Sequence, residues 1–162
     1  MRTRQSTPLE DQRISVRAKL AAAWASFMFL YVYVDILAFY KPDVVADILN
    51  GVVWEFDITP TWAITALSLL AMPMFMIVIS MTLPARASRI ANIVVASIQI
   101  PFAAFNAVGE LGGSWIYFYS FGVVLEVLLL LFILRSAWTW PRTAPSVTMT
   151  TSRQTDRIQQ RT

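Results

Sequence analysis

Two carboxylates lie inside long apolar runs: Asp35 in YVYVDILAFY and Glu126 in FGVVLEVLLLLF. Ionisable groups at such depth are rare, and they mark ion pathways, proton relays or ligand sites when they are not simply interhelical glue. A third apolar run carries Asn92, Ala96, Gln99, Ala103, Asn106 and Glu110 at steps of four, three, four, three and four. That spacing puts polar and small residues on one face of an α-helix. An unpartnered carboxamide in hydrocarbon costs several kcal/mol, so the stripe is expected to face a protein interior or a wet cavity. Acids and amides converging there could hold a cation, carry a proton or bind the polar end of an amphiphile. The same groups could equally make hydrogen bonds that tie the helices together.

The elements that must position these residues are membrane spans. The chain has 162 residues, of which 57% are hydrophobic and 14% charged, a balance unlike that of a soluble domain. A bilayer core of roughly 30 Å needs about 20 helical residues, and four stretches meet that length, at about residues 20–40, 62–83, 90–108 and 115–134. The first follows basic residues and opens on Ala21, Ala22 and Ala23, like a secretory signal. Its length and the lack of a small-x-small cleavage site favour an uncleaved span. The short links between spans two and three and between three and four make antiparallel neighbours. An all-α, up-down-up-down four-helix bundle in the membrane is therefore expected. No internal repeat suggests an inverted-repeat transporter within this chain.

Charge placement sets the orientation. Arg2, Arg4, Arg13, Arg17 and Lys19 precede span one, Arg86 and Arg89 separate spans two and three, and Arg135, Arg142, Arg153, Arg157 and Arg161 follow span four. Only Lys41 lies on the other side, so both termini are expected in the cytoplasm, at a plasma (inner) membrane. The net charge of +3 and pI near 9.6 suit contact with the anionic lipid bilayer. No basic run with interleaved aromatics supports nucleic-acid binding.

Residues 1–16 and 143–162 are polar, lack apolar periodicity and read as disordered tails flanking one four-helix domain, 17–142. The outer loop from Lys41 to Thr61 has Val44, Val45, Ile48, Leu49, Val52 and Val53 at helical spacing, ending at Asn50 and Gly51. It predicts a short amphipathic segment across the outer mouth. Trp54, Trp62 and Trp115 on the outer side, and Trp138 and Trp140 on the inner, mark the span ends at headgroup level.

Helical rise places the polar groups in two layers. Asp35 lies roughly 22 Å and Asn106 roughly 24 Å above the inner span ends, while Glu126 and Gln99 lie about 13 and 14 Å above them. Tyr31 and Asp35 share a stripe with Trp24 and Phe27 on span one, and Ser68 and Tyr119 fall at similar depth. The candidate ligand-binding residues are thus Asp35, Tyr31, Asn106 and Tyr119 outside, with Gln99 and Glu126 deeper. Pro73 and Pro101 each remove a backbone hydrogen bond in mid-span and could widen a cavity there. Gly122 would let a neighbouring helix or a ligand come close.

The chain contains neither cysteine nor histidine, which removes disulfides, thiolate chemistry and imidazole ligands. No cofactor is expected. Met72, Met74, Met76 and Met81 scatter around their helix, which suits adaptable packing rather than a soft-metal site. The loop acids Asp43, Asp47, Glu55 and Asp57 read as solvated charge. Two carboxylates separated by about 9 Å of depth make poor acid–base partners, so no catalytic residues are assigned and an enzyme is not expected.

The segment AAAWASFMFLYVYVDILAFY, the Pro84–Asn92 turn and the AWTWPR exit resemble an uncharacterised family of small bacterial four-span membrane proteins. The likeness covers about residues 17–142. Tyr31, Tyr33 and Asp35 match its aromatic-and-acid pattern, and Trp138, Trp140, Pro141 and Arg142 its exit motif. The resemblance implies a bacterial four-helix membrane protein and no particular activity. The leading expectation is a module that binds a small amphiphile or cation between its helices. The alternative is an accessory subunit or scaffold, its exposed faces covered by a membrane protein partner or a second copy.

Overall fold

A computed structural model describes residues 14–108 and 111–141. Its order is α1 (Val16–Ala38), α2 (Val44–Leu49), β1 (Val52–Val53), β2 (Phe56–Asp57), α3 (Pro60–Thr82), α4 (Ala85–Asn106) and α5 (Ile116–Trp138). The four long helices of 22 or 23 residues are each long and apolar enough to cross a membrane. The all-α, four-span architecture therefore stands. The span limits move: α4 starts at Ala85, five residues earlier than expected, and α5 continues four residues past Leu134. Arg86 and Arg89, expected between spans, and Arg135, expected after span four, thus sit inside helix ends. The expected tails fall largely on 1–13 and 142–162, outside the described residues, but Ser15 and Val16 belong to the start of α1.

Local signals explain the helix starts. The Ser15 hydroxyl accepts from the Ala18 N–H, and the Thr59 hydroxyl accepts from the Trp62 N–H, with Pro60 in the first turn of α3. Each satisfies a backbone donor that the helix cannot satisfy itself. The outer loop departs from expectation in part. Its helix ends at Leu49, Gly51 turns the chain at φ +82°, and residues 52–57 form a two-stranded hairpin with Val52 opposite Asp57. Trp54 holds the turn at φ +55°, and its ring meets Phe56 and Phe105 edge-on. Those ring contacts seat the hairpin on the outer end of α4.

The helices close a cycle in which α1 packs on α3 and α5, and α4 on α3 and α5. Buried apolar residues at the inner half hold it: Leu20, Trp24 and Phe27 of α1, Met76 of α3, and Leu130 and Ile133 of α5. Met76 is the only one of the four span-two methionines that is buried; Met72, Met74 and Met81 face outward. Arg17 fastens the inner end. Its Nη1 donates to the carbonyls of Met81 at 2.9 Å and Leu83 at 2.7 Å, closing the exposed C-terminus of α3, and its guanidinium lies 6.0 Å from the Trp140 ring centre. Trp140 is packed against the core, not simply placed at headgroup depth. Replacing Arg17 by Gln should remove these charged donors and lower the thermal midpoint by about 2–4 °C, for a loss near 1 kcal/mol after discounting for its partial exposure. Differential scanning fluorimetry of the tryptophans checks this.

Candidate functional site

Two polar clusters fill the bundle at different depths, and they differ in whether their groups are satisfied. The inner one centres on Asn92 of α4, fully buried with Ser80 and Ser88. Asn92 Oδ1 accepts from Trp24 Nε1 at 2.7 Å and from Ser80 Oγ at 3.2 Å, and its Nδ2 donates to the Ser88 carbonyl at 2.8 Å. Ser88 Oγ in turn donates to the Ser80 carbonyl at 3.3 Å. One carboxamide thereby joins α1, α3 and α4. Sequence reasoning placed Trp24 on the outer stripe; the structure puts its indole N–H on Asn92 instead. With its polar groups engaged, this cluster binds the helices together.

The outer cluster is a small cavity of about 30 Å³ lined by Tyr31, Val34 and Asp35 of α1, Asn106 of α4, and Tyr119, Val123 and Glu126 of α5. The spacings of three, four and seven on α1 and α5 set these side chains along facing ridges. Gly122 makes the approach possible: a Cβ there would stand 3.1 Å from Val34 Cγ2, tighter than an ordinary contact. Asn106 Nδ2 donates to Tyr31 Oη at 3.1 Å, which ties α4 to α1 across the mouth. Asp35 and Asn106 are exposed at the rim, Tyr31 and Tyr119 are half-buried, and Glu126 is 3% exposed at the floor. Glu126 Oε2 is buried and has no hydrogen-bond partner.

Five of the six expected ligand-binding residues meet here: Tyr31, Asp35, Asn106, Tyr119 and Glu126. The two-layer expectation is corrected, because Glu126 belongs to the same cavity as Asp35 rather than to a separate middle layer. Gln99 is buried at 5% exposure but does not line the cavity. Ser68, expected near this depth, is exposed and donates to the Ile64 carbonyl of its own helix. Glu110 lies outside the described residues. The walls Val34 and Val123 carried no sequence signal beyond their spacing from Asp35 and Glu126.

The cavity's chemistry is that of hard oxygen donors. Two carboxylates, a carboxamide and two phenols converge on it, and no basic side chain lines it. Uncompensated charge in a low-dielectric interior costs several kcal/mol per group, so ionised acids there call for compensation. Among the described residues no three acids gather as a cluster able to hold a metal by themselves. Amide and phenol oxygens would have to complete a coordination shell.

Fold and site together define a four-helix, multi-span membrane protein with an acidic pocket between its helices. The chain matches a family model described as a family of unknown function (DUF6326) over residues 11–146, and it belongs to that family. No curated protein and no solved structure matches it.

Proposed function

We propose that this protein is a non-catalytic membrane protein that holds a small hard cation in the pocket between α1, α4 and α5. The observation that carries the reading is Glu126, 3% exposed with an unpartnered oxygen, in a cavity shared with Asp35. Size favours a cation over an amphiphile. A space of about 30 Å³ suits one water-sized species, whereas drug-sized ligands occupy roughly 300 Å³ or more. Asp35 at the rim would attract the ion and Glu126 at the floor would hold it, with Asn106 Oδ1 and the phenol oxygens as neutral ligands. A bacterial plasma membrane with both termini cytoplasmic is part of the proposal, supported by the basic residues gathered at one end of the bundle.

Thermal unfolding tests it, with the purified protein in sodium, potassium, magnesium, calcium or choline chloride at equal ionic strength. A bound ion at about 100 times its Kd stabilises by about 2.7 kcal/mol, which raises the midpoint by about 5–10 °C for a chain of this size. At least one metal ion should do this and choline should not. Asp35→Asn should weaken the ion's apparent affinity about tenfold by removing one charge at the exposed rim. Equal midpoints in all five salts would refute the cation site, and co-purification with other subunits would then favour an accessory role.

A further inference from the structure

A second concavity lies at the opposite end of the bundle, on the outer surface of the seam between α1 and α5. It encloses about 400 Å³ and is walled by Ala18, Ala22 and Ser26 of α1 and Leu129 and Phe132 of α5, with Lys19 at its rim. The small α1 residues recur every four positions, so they form a shallow trough roughly 12 Å long, and the two larger α5 side chains form its bank. We propose that this groove is a binding site for an anionic phospholipid, with an acyl chain in the trough and the headgroup phosphate on Lys19.

Charge selects that occupant. Among the described residues Arg17, Lys19, Arg86, Arg89 and Arg135 all lie at this end, whereas Asp35, Asp43, Asp47, Glu55, Asp57 and Glu126 lie at mid-bundle or beyond. The end is uniformly basic, and no described carboxylate competes with a phosphate there. Arg17 is committed to the α3 carbonyls. The Lys19 side chain is exposed and has no ion-pair or hydrogen-bond partner among the described residues. A second copy of the chain fits less well. A two-fold contact through this groove would bring concave face to concave face and Lys19 towards its own counterpart. An acyl chain is convex and flexible, and it ends in the charge that Lys19 lacks.

The test is native mass spectrometry of the intact protein with phosphatidylglycerol or phosphatidylcholine of identical acyl chains. Wild type should retain phosphatidylglycerol about fivefold better, the worth of one basic contact to an anionic lipid. Lys19→Gln should erase that preference while leaving some binding of both lipids. Ala22→Leu, at an exposed position that tolerates the larger side chain, should fill the trough and lose both. Equal retention of the two lipids by wild type would overturn the proposal. So would a preference untouched by Ala22→Leu, or a dimer that Ala22→Leu dissolves, which would make the groove a self-interface.

Discussion

Glu126→Gln should abolish the cation-dependent gain in thermal stability expected of wild type and leave the protein in choline chloride at least as stable as wild type. The two halves have one cause. Glu126 presents a buried oxygen with no partner, and a buried carboxylate without compensation is unfavourable in a low-dielectric interior. In the proposed site a cation would supply the compensation. Gln has nearly the same shape and no charge, so the substituted pocket neither needs the ion nor attracts it. Wild type should therefore exceed the variant by about 5–10 °C in the stabilising salt and fall level with or below it in choline. A purely structural hydrogen bond from Glu126 predicts a different pattern, in which the variant is displaced by the same amount in every salt. Scanning fluorimetry across the salt series separates the two.

Asn92→Leu should produce a large loss of stability. Leu cannot accept from the Trp24 indole or the Ser80 hydroxyl, nor donate to the Ser88 carbonyl. Interhelical hydrogen bonds in membranes average only about 0.6 kcal/mol and rarely exceed about 1.7, so no single lost bond would be dramatic. Here two interhelical bonds and one within α4 go together, and the Trp24 N–H is stranded where water does not reach, at about 1–3 kcal/mol. The expected sum is about 2–4 kcal/mol, a fall in thermal midpoint near 10 °C. Trp24→Phe should cost less, because Asn92 keeps its bonds to Ser80 and Ser88. Combined with Asn92→Leu it should add little, since the stranded donor is gone. Full additivity in that double-mutant cycle would show that the two side chains act independently.

The four spans, their antiparallel order and the shared depth of Asp35 and Asn106 were legible because they follow from two numbers, the apolar length a bilayer requires and the rise per helical residue. Glu126 was assigned to a separate layer because helical rise sets it about 9 Å below Asp35, yet one cavity spans that depth, with Asp35 at its rim and Glu126 at its floor. Arg135 and Ser136 look like an end to a hydropathy count, yet the helix holds them with intact backbone bonding. Depth also says nothing about azimuth. Gln99 shares a helical stripe with Asn106 but faces no part of the cavity, which is built on the α1–α5 seam and takes only Asn106 from α4. That seam depends on Gly122 meeting Val34, a pairing between residues 88 positions apart that no local pattern encodes. Trp24 was hard to place for a similar reason: its partner Asn92 lies 68 residues away. The hairpin at Val52–Asp57 was not foreseen, because Val52 and Val53 continue the helical spacing of α2 beyond the end marked by Asn50 and Gly51.

The most direct test of the pocket is anomalous scattering from thallium(I), a heavy stand-in for a monovalent cation, in crystals of wild type and of Glu126→Gln, with strontium replacing it if the salt series selects a divalent ion. The account predicts a peak among Asp35, Asn106 and Glu126 in wild type and none there in the variant. A wild-type pocket without the peak, or a peak that survives Glu126→Gln, would contradict it.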